Sequence, residues 1–397
     1  MRLHRLVASA ILVGGCSFQL TPAGAIDAAP GDGSGSDAAT DAPSDASVVP
    51  TCLGALCRRT TLTIEATRVT GGPHVGFPVL VDIQLPAFAA SAAPTGFDLT
   101  FTSADGVTRI PYERELFANG RLVAWVRLPT INSTTNTVFY LFFGNPAATV
   151  DAQSRNEVWG SEYHGVWHAN EVTGGNRAIL DSTSSLNHGT NQGGLVLGVA
   201  GKIGRSIQLD GIDDRLRIAT TTELEQATAV STLSTWVSFD AAENGAYQRI
   251  LMTANAIAGD GTGVEWGLQP LGSQMLHYYY PQGAGGSNYI AIPNTFTPGR
   301  WHHVAITQDF AAKALAMYVD GALITPVSND AATLWTTRPT PSDWFWGGAP
   351  PRTEMAGLLD EMRIAKLVRS AGWISTEHTN QKSAFDFIVV GPTNVGP

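Results

Sequence analysis

WHHVAITQDFAAKALAMYVDG, residues Trp301 to Gly321, holds two apolar runs, one before and one after the polar-and-alanine segment at its centre. In the first run, Trp301, His303, Ala305 and Thr307 leave one face; His302, Val304, Ile306 and Gln308 leave the other, because successive strand side chains alternate. Leu315 to Val319 is the second run, and Asp320-Gly321 is a strong turn signal. Such a hairpin cannot bury itself alone and needs a facing sheet, so it implies a sandwich. Alternation also splits His302 and His303, and no nucleophile or carboxylate set accompanies them, so the hairpin reads as scaffold.

The rest of the chain fits an all-β protein. Its 397 residues leave room for two domains plus tails. Charged residues make up only 15%, with 42 Gly and 22 Pro, a composition suited to short strands and many turns. The net charge of −10 and the lack of a basic patch exclude nucleic acid as the expected partner. The same acidity keeps a protein soluble and is compatible with calcium, a cation that prefers oxygen ligands.

Residues 1–16, MRLHRLVASAILVGGC, have the layout of an export signal: Arg2 and Arg5, then the apolar run Leu6 to Val13. That run is far shorter than the roughly 20 residues of a spanning helix. Val13-Gly14-Gly15-Cys16 resembles a bacterial lipobox. The resemblance implies lipidation of Cys16 and membrane attachment through the lipid alone. With Ser17 next, it points to the outer membrane or cell surface; an ordinary secretory signal, giving a secreted or periplasmic protein, is the alternative. Residues 17–50 read as a disordered acidic linker. Asp27, Asp32, Asp37, Asp41 and Asp45 recur through it without Lys, Arg or aromatics, and it cannot bury enough apolar area to order itself. Coil statistics give it about 30 Å of reach. Cys52 and Cys57 follow, with too few nearby ligands for a metal site; they read as a small disulfide loop, or else as two free thiols.

Residues 59–156 read as a small antiparallel β-sandwich, with Asn119-Gly120 marking a hairpin between alternating runs. Phe77-Pro78-Val79-Leu80-Val81, Ile110-Pro111-Tyr112-Glu113, Val123-Ala124-Trp125-Val126 and Tyr140-Leu141-Phe142-Phe143-Gly144-Asn145 resemble the domain of unknown function 2341. That likeness implies a fold and a habit of fusion to lectin-like domains, not an activity. Glu113 and Glu115 share a strand face, so they could serve as acid and base in glycoside hydrolysis. The favoured reading is a charged outer face with Arg114 and Arg121 nearby.

Residues 158–387 supply many further strand candidates and one short helix, Ala371 to Gln381, capped by Ser370. Four blocks resemble the laminin-G-like, concanavalin-A-like jelly-roll superfamily. They are Asp181-Ser182-Thr183 with Asn187-His188-Gly189-Thr190; Gly204 to Gly211; Trp301 to Ala305 with Tyr318 to Gly321; and Gly357 to Ile364 with Arg369 to Ile374. The expected fold is therefore two β-sandwich domains, the second a jelly roll, after a disordered tether.

Glucanases of this fold carry a strand triplet of the form Glu-x-Asp-x-x-Glu, which is not found here. Asp360 and Glu361 are adjacent and are expected on opposite strand faces. His164 and His168 have a metal spacing only on a helix and read as structural. The resemblance implies a structural calcium between the early loop and the closing strand, with Glu171, Asp181 and Asp360, and also Asp210, as ligands. The alternative is that Asp181 and Asp210 only shape turns. Trp266, His277 to Tyr280, Tyr289, Trp335 and Trp344-Phe345-Trp346 could stack on sugars, though aromatics in a sandwich are more often core. The Gly-rich loop Pro281 to Asn288 is where binding would vary. The expected function is surface-anchored, non-enzymatic binding of carbohydrate or an envelope protein. A glycoside hydrolase and a purely structural envelope component are the alternatives.

Overall fold

A computed structural model describes residues 49–397 apart from 176, 241–246, 255–263, 269–274, 282–286, 294–295, 327, 330–341 and 349–353. Cys16 and the linker up to residue 48 lie outside the described residues. All strand pairs among the described residues are antiparallel, and the fold is all-β.

The central hairpin forms as its alternation requires. His302–Asp309 pairs with Ala314–Val319 in the register Val304↔Val319 to Asp309↔Ala314. Val304, Ile306 and Met317 enter the main core, whereas Ala305 and Tyr318 pack against Ile374 of the helix Ala371–Lys382. Both faces of the hairpin are thus buried. Its sheet has eight strands, with Val230–Phe239 and Ala356–Ala365 at its centre. A second eight-stranded sheet, including Gln248–Thr253, Trp344–Trp346 and Arg215–Ile218, closes the jelly roll. The core between them contains Trp167, Trp266, Trp344 and Trp346.

The smaller sandwich packs a three-stranded sheet (His74–Gln84, Arg121–Ile131, Tyr112–Ala118) on a five-stranded one. Asn119 and Gly120 sit at φ 53° and 77° between two of these strands, the geometry of the tight hairpin that Asn-Gly favours. Cys52 and Cys57 form a disulfide. The five-stranded sheet includes Ile388–Val395, which lies beyond both sequence-derived spans and pairs with Arg58–Ile64. Phe387 and Ile388 enter the small core with Trp373, which meets Phe77 at 4.7 Å between ring centroids.

Ser370 caps the helix Ala371–Lys382 by accepting from the Trp373 amide. A separate apolar cluster joins Leu80, Val123 and Trp125 of the small sandwich to Trp159, Tyr163, Val166, Ile203 and Ala365. Residues Ser47–Pro397 accordingly form one compact unit.

Candidate functional site

The apolar seam between the sandwiches encloses a charged centre. Strand Tyr112–Ala118 contributes Glu113 and Glu115 from one side. His168, just past Tyr163–Trp167, and Glu361, on Ala356–Ala365, come from the other. His168 Nδ1 lies 2.9 Å from Glu361 Oε1 and 3.1 Å from Glu115 Oε1. Its Nε2 lies 3.3 Å from Glu113 Oε2. The imidazole lies against Trp125 and Trp159 at centroid distances of 5.8 and 5.3 Å, the two indoles being 5.6 Å apart. Arg363 bonds Glu361 at 2.7 Å and Glu377 at 3.0 Å, with its guanidinium over Trp125.

Glu113 and Glu115 are therefore not on a charged outer face. Their side chains are only 5% and 4% exposed, because the jelly roll covers the strand that carries them. Glu113 accepts from Trp159 Nε1 and Ser182 Oγ, both at 2.7 Å, and pairs with Arg155 at 3.0 Å. Glu115 accepts from Trp125 and Asn170. A cleft of about 160 Å³, lined in part by Arg155, Asn170, Glu171 and Ser182, reaches this centre.

Burial sets unequal protonation here. It pushes Glu115 up to about 8, with Glu361 and Glu113 adding to the rise against the opposing charge of His168. Burial also raises Glu113, but His168 and the hydrogen bonds outweigh it and hold that carboxyl below its usual range. Burial would lower His168, yet Glu361, Glu115 and Glu113 carry it well above an ordinary histidine. His164 behaves differently: burial first, then Lys366, takes it down to about 4.

The calcium candidates are placed as follows. Asp181 accepts from the amides of Val166, Thr183 and Asn187 and from the Thr183 hydroxyl, building its loop. Asp210 accepts from Ile212 and lies with Asp213 and Asp214. Asp360 is fully buried and accepts from the Ile203 amide at 2.8 Å. Glu171 accepts from Leu180 through Oε1, while its buried Oε2 has no partner among the described residues. Among the described residues, three ligand atoms within 4.8 Å of one another occur at Glu115/His168/Glu361 and at Asp210/Asp213/Asp214. Glu171, Asp181 and Asp360 do not meet in such a trio.

Simple alternation also fails at Asp360-Glu361. The register with Val230–Phe239 shifts there, and Glu361 has φ 53°. Asp360 feels the charges of both Glu361 and Glu115, which, after burial, hold it well above the usual carboxylate range. An inserted residue re-aims side chains that strict pleating would send to opposite faces.

A second cleft of about 280 Å³ lies beside the hairpin, lined by Lys202, Trp236, Arg300, Trp301, Asp320, His378 and Lys382. Asp320 pairs with His302 at 2.9 Å and accepts from the His303 amide. Lys202 donates to the Lys382 carbonyl and lies 4.9 Å from the Trp236 centroid. Burial brings His378 down to about 4. Of the aromatic candidates, Trp266, Trp344, Phe345 and Trp346 are buried. The side chains of His277 to Tyr280 and Tyr289, all of Trp335, and residues 282–286 of the Gly-rich loop lie outside the described residues.

Residues 210–375 match the family model for the laminin-G-like concanavalin A-like lectin/glucanases superfamily. No curated protein matches the chain. Among solved structures, similarity is found to the binding domain of botulinum neurotoxin DC in complex with rat synaptotagmin II, at 12% identity and a TM-score of 0.43. The match covers 55% of this chain and 52% of that one. The botulinum neurotoxin serotype D/C VPI 5993 binding domain gives 13% identity and a TM-score of 0.44, over 57% of this chain and 53% of its own. The chain spans about half the length of these structures.

Proposed function

We propose that this protein is a non-enzymatic recognition module that binds carbohydrate or an envelope protein through its jelly roll. A lipid on Cys16 would hold it at the outer membrane or cell surface, with residues 17–50 as the tether. Residues 59–156, which on this reading would be a relative of the domain of unknown function 2341, would act as the platform between tether and jelly roll.

The observation that carries the binding reading is the cleft beside the hairpin, on a domain matching the lectin/glucanase family. It combines the half-buried Trp301 with Arg300, Lys202, Asp320 and Lys382. An aromatic surface with a few convergent polar groups is the chemistry that binds and orients a sugar ring. Binding is favoured over hydrolysis because Glu113 and Glu115 are committed to Trp, Ser, Asn, Arg and His partners inside the protein. The calcium expected from the sequence would be a structural support for this domain, tested by thermal melting with and without chelator.

The decisive experiment is a glycan array and an envelope-protein binding assay with the purified chain, with and without calcium. Trp301→Ala should weaken the ligand found by at least tenfold. No ligand in either assay, or unchanged binding by Trp301→Ala, defeats the reading. Reducing-sugar release from polysaccharides would favour the hydrolase instead.

A further inference from the structure

We propose that Glu115, His168 and Glu361 bind one divalent transition-metal cation, which pins the two sandwiches together at their seam. This inference is independent of what the jelly roll recognises, and its residues differ from the calcium set expected from the sequence.

The first argument is convergence. Three elements far apart in the chain bring His168 Nδ1 and one carboxylate oxygen each from Glu115 and Glu361 within 4.8 Å of one another. Both Glu361 oxygens, at 2.9 and 3.0 Å, and Glu115 Oε1, at 3.1 Å, face the same ring nitrogen. That nitrogen carries at most one hydrogen, so it cannot serve all three oxygens that face it. A cation held between them would satisfy both carboxylates and the imidazole lone pair together.

The second argument is the arrangement around the trio. A metal-bound histidine usually donates its other ring N–H to a carboxylate, which fixes the tautomer and the ring orientation. Here His168 Nε2 faces Glu113 Oε2, and Glu113 is itself held by Trp159, Ser182 and Arg155. Glu361 and Glu115 are likewise positioned, by Arg363 and by Trp125 with Asn170. Glu115 Oε1 and Glu361 Oε2 keep those donors while also facing His168 Nδ1, and a carboxylate oxygen has a second lone pair to offer a cation.

The third argument is independent of the trio. Glu171 lines the same cleft, and its Oε2 is buried without a partner among the described residues. The cleft also gives an ion an entry path from the Arg155–Asn170 side. One imidazole with carboxylates suits zinc, manganese or iron, whereas calcium asks for six to eight oxygens.

The test is calorimetric titration of the chelator-treated full chain with Zn²⁺, Mn²⁺ and Ca²⁺. One equivalent of Zn²⁺ or Mn²⁺ should bind, and Glu361→Gln and His168→Gln should each weaken it at least tenfold. In the unsubstituted protein, Mn²⁺ should broaden the indole N–H resonances of Trp125 and Trp159 before those of other tryptophans, a readout that survives if either variant fails to fold. No stoichiometric uptake, or broadening elsewhere, overturns the proposal. So does binding that persists in both variants but is lost in Asp210→Ala/Asp214→Ala.

Discussion

Asn380 makes both of its side-chain hydrogen bonds to one residue of the other sandwich. Its Oδ1 accepts from the Leu80 amide at 2.7 Å, and its Nδ2 donates to the Leu80 carbonyl at 3.0 Å. Leu80 lies on His74–Gln84, an edge strand of the three-stranded sheet, whose outward groups would otherwise need another partner. The helix Ala371–Lys382 therefore covers that edge with a side-chain amide that imitates a neighbouring strand.

Replacing Asn380 should be costly, because it strands a buried donor and a buried acceptor together. Asn380→Ala is expected to lower stability by about 3 kcal/mol, at 1–3 kcal/mol per orphaned group. Urea unfolding at constant pH measures it; a loss under about 1 kcal/mol would show that water replaces the amide.

His303 should make the fold acid-sensitive. Burial, followed by His378 and Arg363, takes it down to about 3, with Asp320 opposing. It packs on Trp236 and His378, and its amide donates to Asp320. Unfolded histidine takes its proton near 6.5, so between pH 6.5 and about 3 the unfolded chain binds more protons. Stability must then fall as pH falls through that window, by up to about 1.4 kcal/mol per unit from this group. Urea midpoints from pH 7 to 4 should decline less steeply in His303→Gln than in the parent protein. Equal slopes would refute this assignment.

Ending the chain after Phe387 should open the small sandwich. It removes six paired positions along Arg58–Ile64, the buried Ile388 and the Thr60–Thr393 hydroxyl bond at 2.8 Å. A loss of roughly 5 kcal/mol is expected from the lost burial and the unpaired edge. Trypsin should then cut near Arg58 and Arg59. A digestion pattern and melting curve like those of the full chain would count against it.

Lipid attachment at Cys16 predicts complete transfer of Cys16→Ala from the detergent to the aqueous phase in a partition experiment, since a short tether alone gives no membrane affinity. Partition unchanged by the substitution would remove the anchor.

Local patterns carried much of the architecture. Alternation in Trp301 to Asp309, the Asn119-Gly120 turn and the Ser370 cap are settled by neighbours in sequence, and each appears in the structure. The charged centre had no such signal. Glu113-Arg114-Glu115 looks like a solvent face until another sandwich is laid over it, and Glu361 reaches it from 246 residues beyond Glu115. The strand Ile388–Val395 is hidden for a different reason: Gly391-Pro392 interrupts it. The structure absorbs that pair where the register jumps from Leu62↔Val390 to Thr60↔Thr393.

The closure of the small sandwich by Ile388–Val395 also sets an order of events in time. Residues 58–143 leave the ribosome before the jelly roll, yet their strand Arg58–Ile64 must wait for a partner encoded at least 324 positions later, as Ile64 pairs with Ile388. During that delay Leu62 and Ile64 lack part of their cover, and the jelly roll has to emerge before the wait ends. Long-range pairing of this kind slows folding and lengthens exposure of sticky edges. Maturation of the first domain is therefore a late step in biogenesis, and a holding chaperone would have its longest task at the beginning of the folded region.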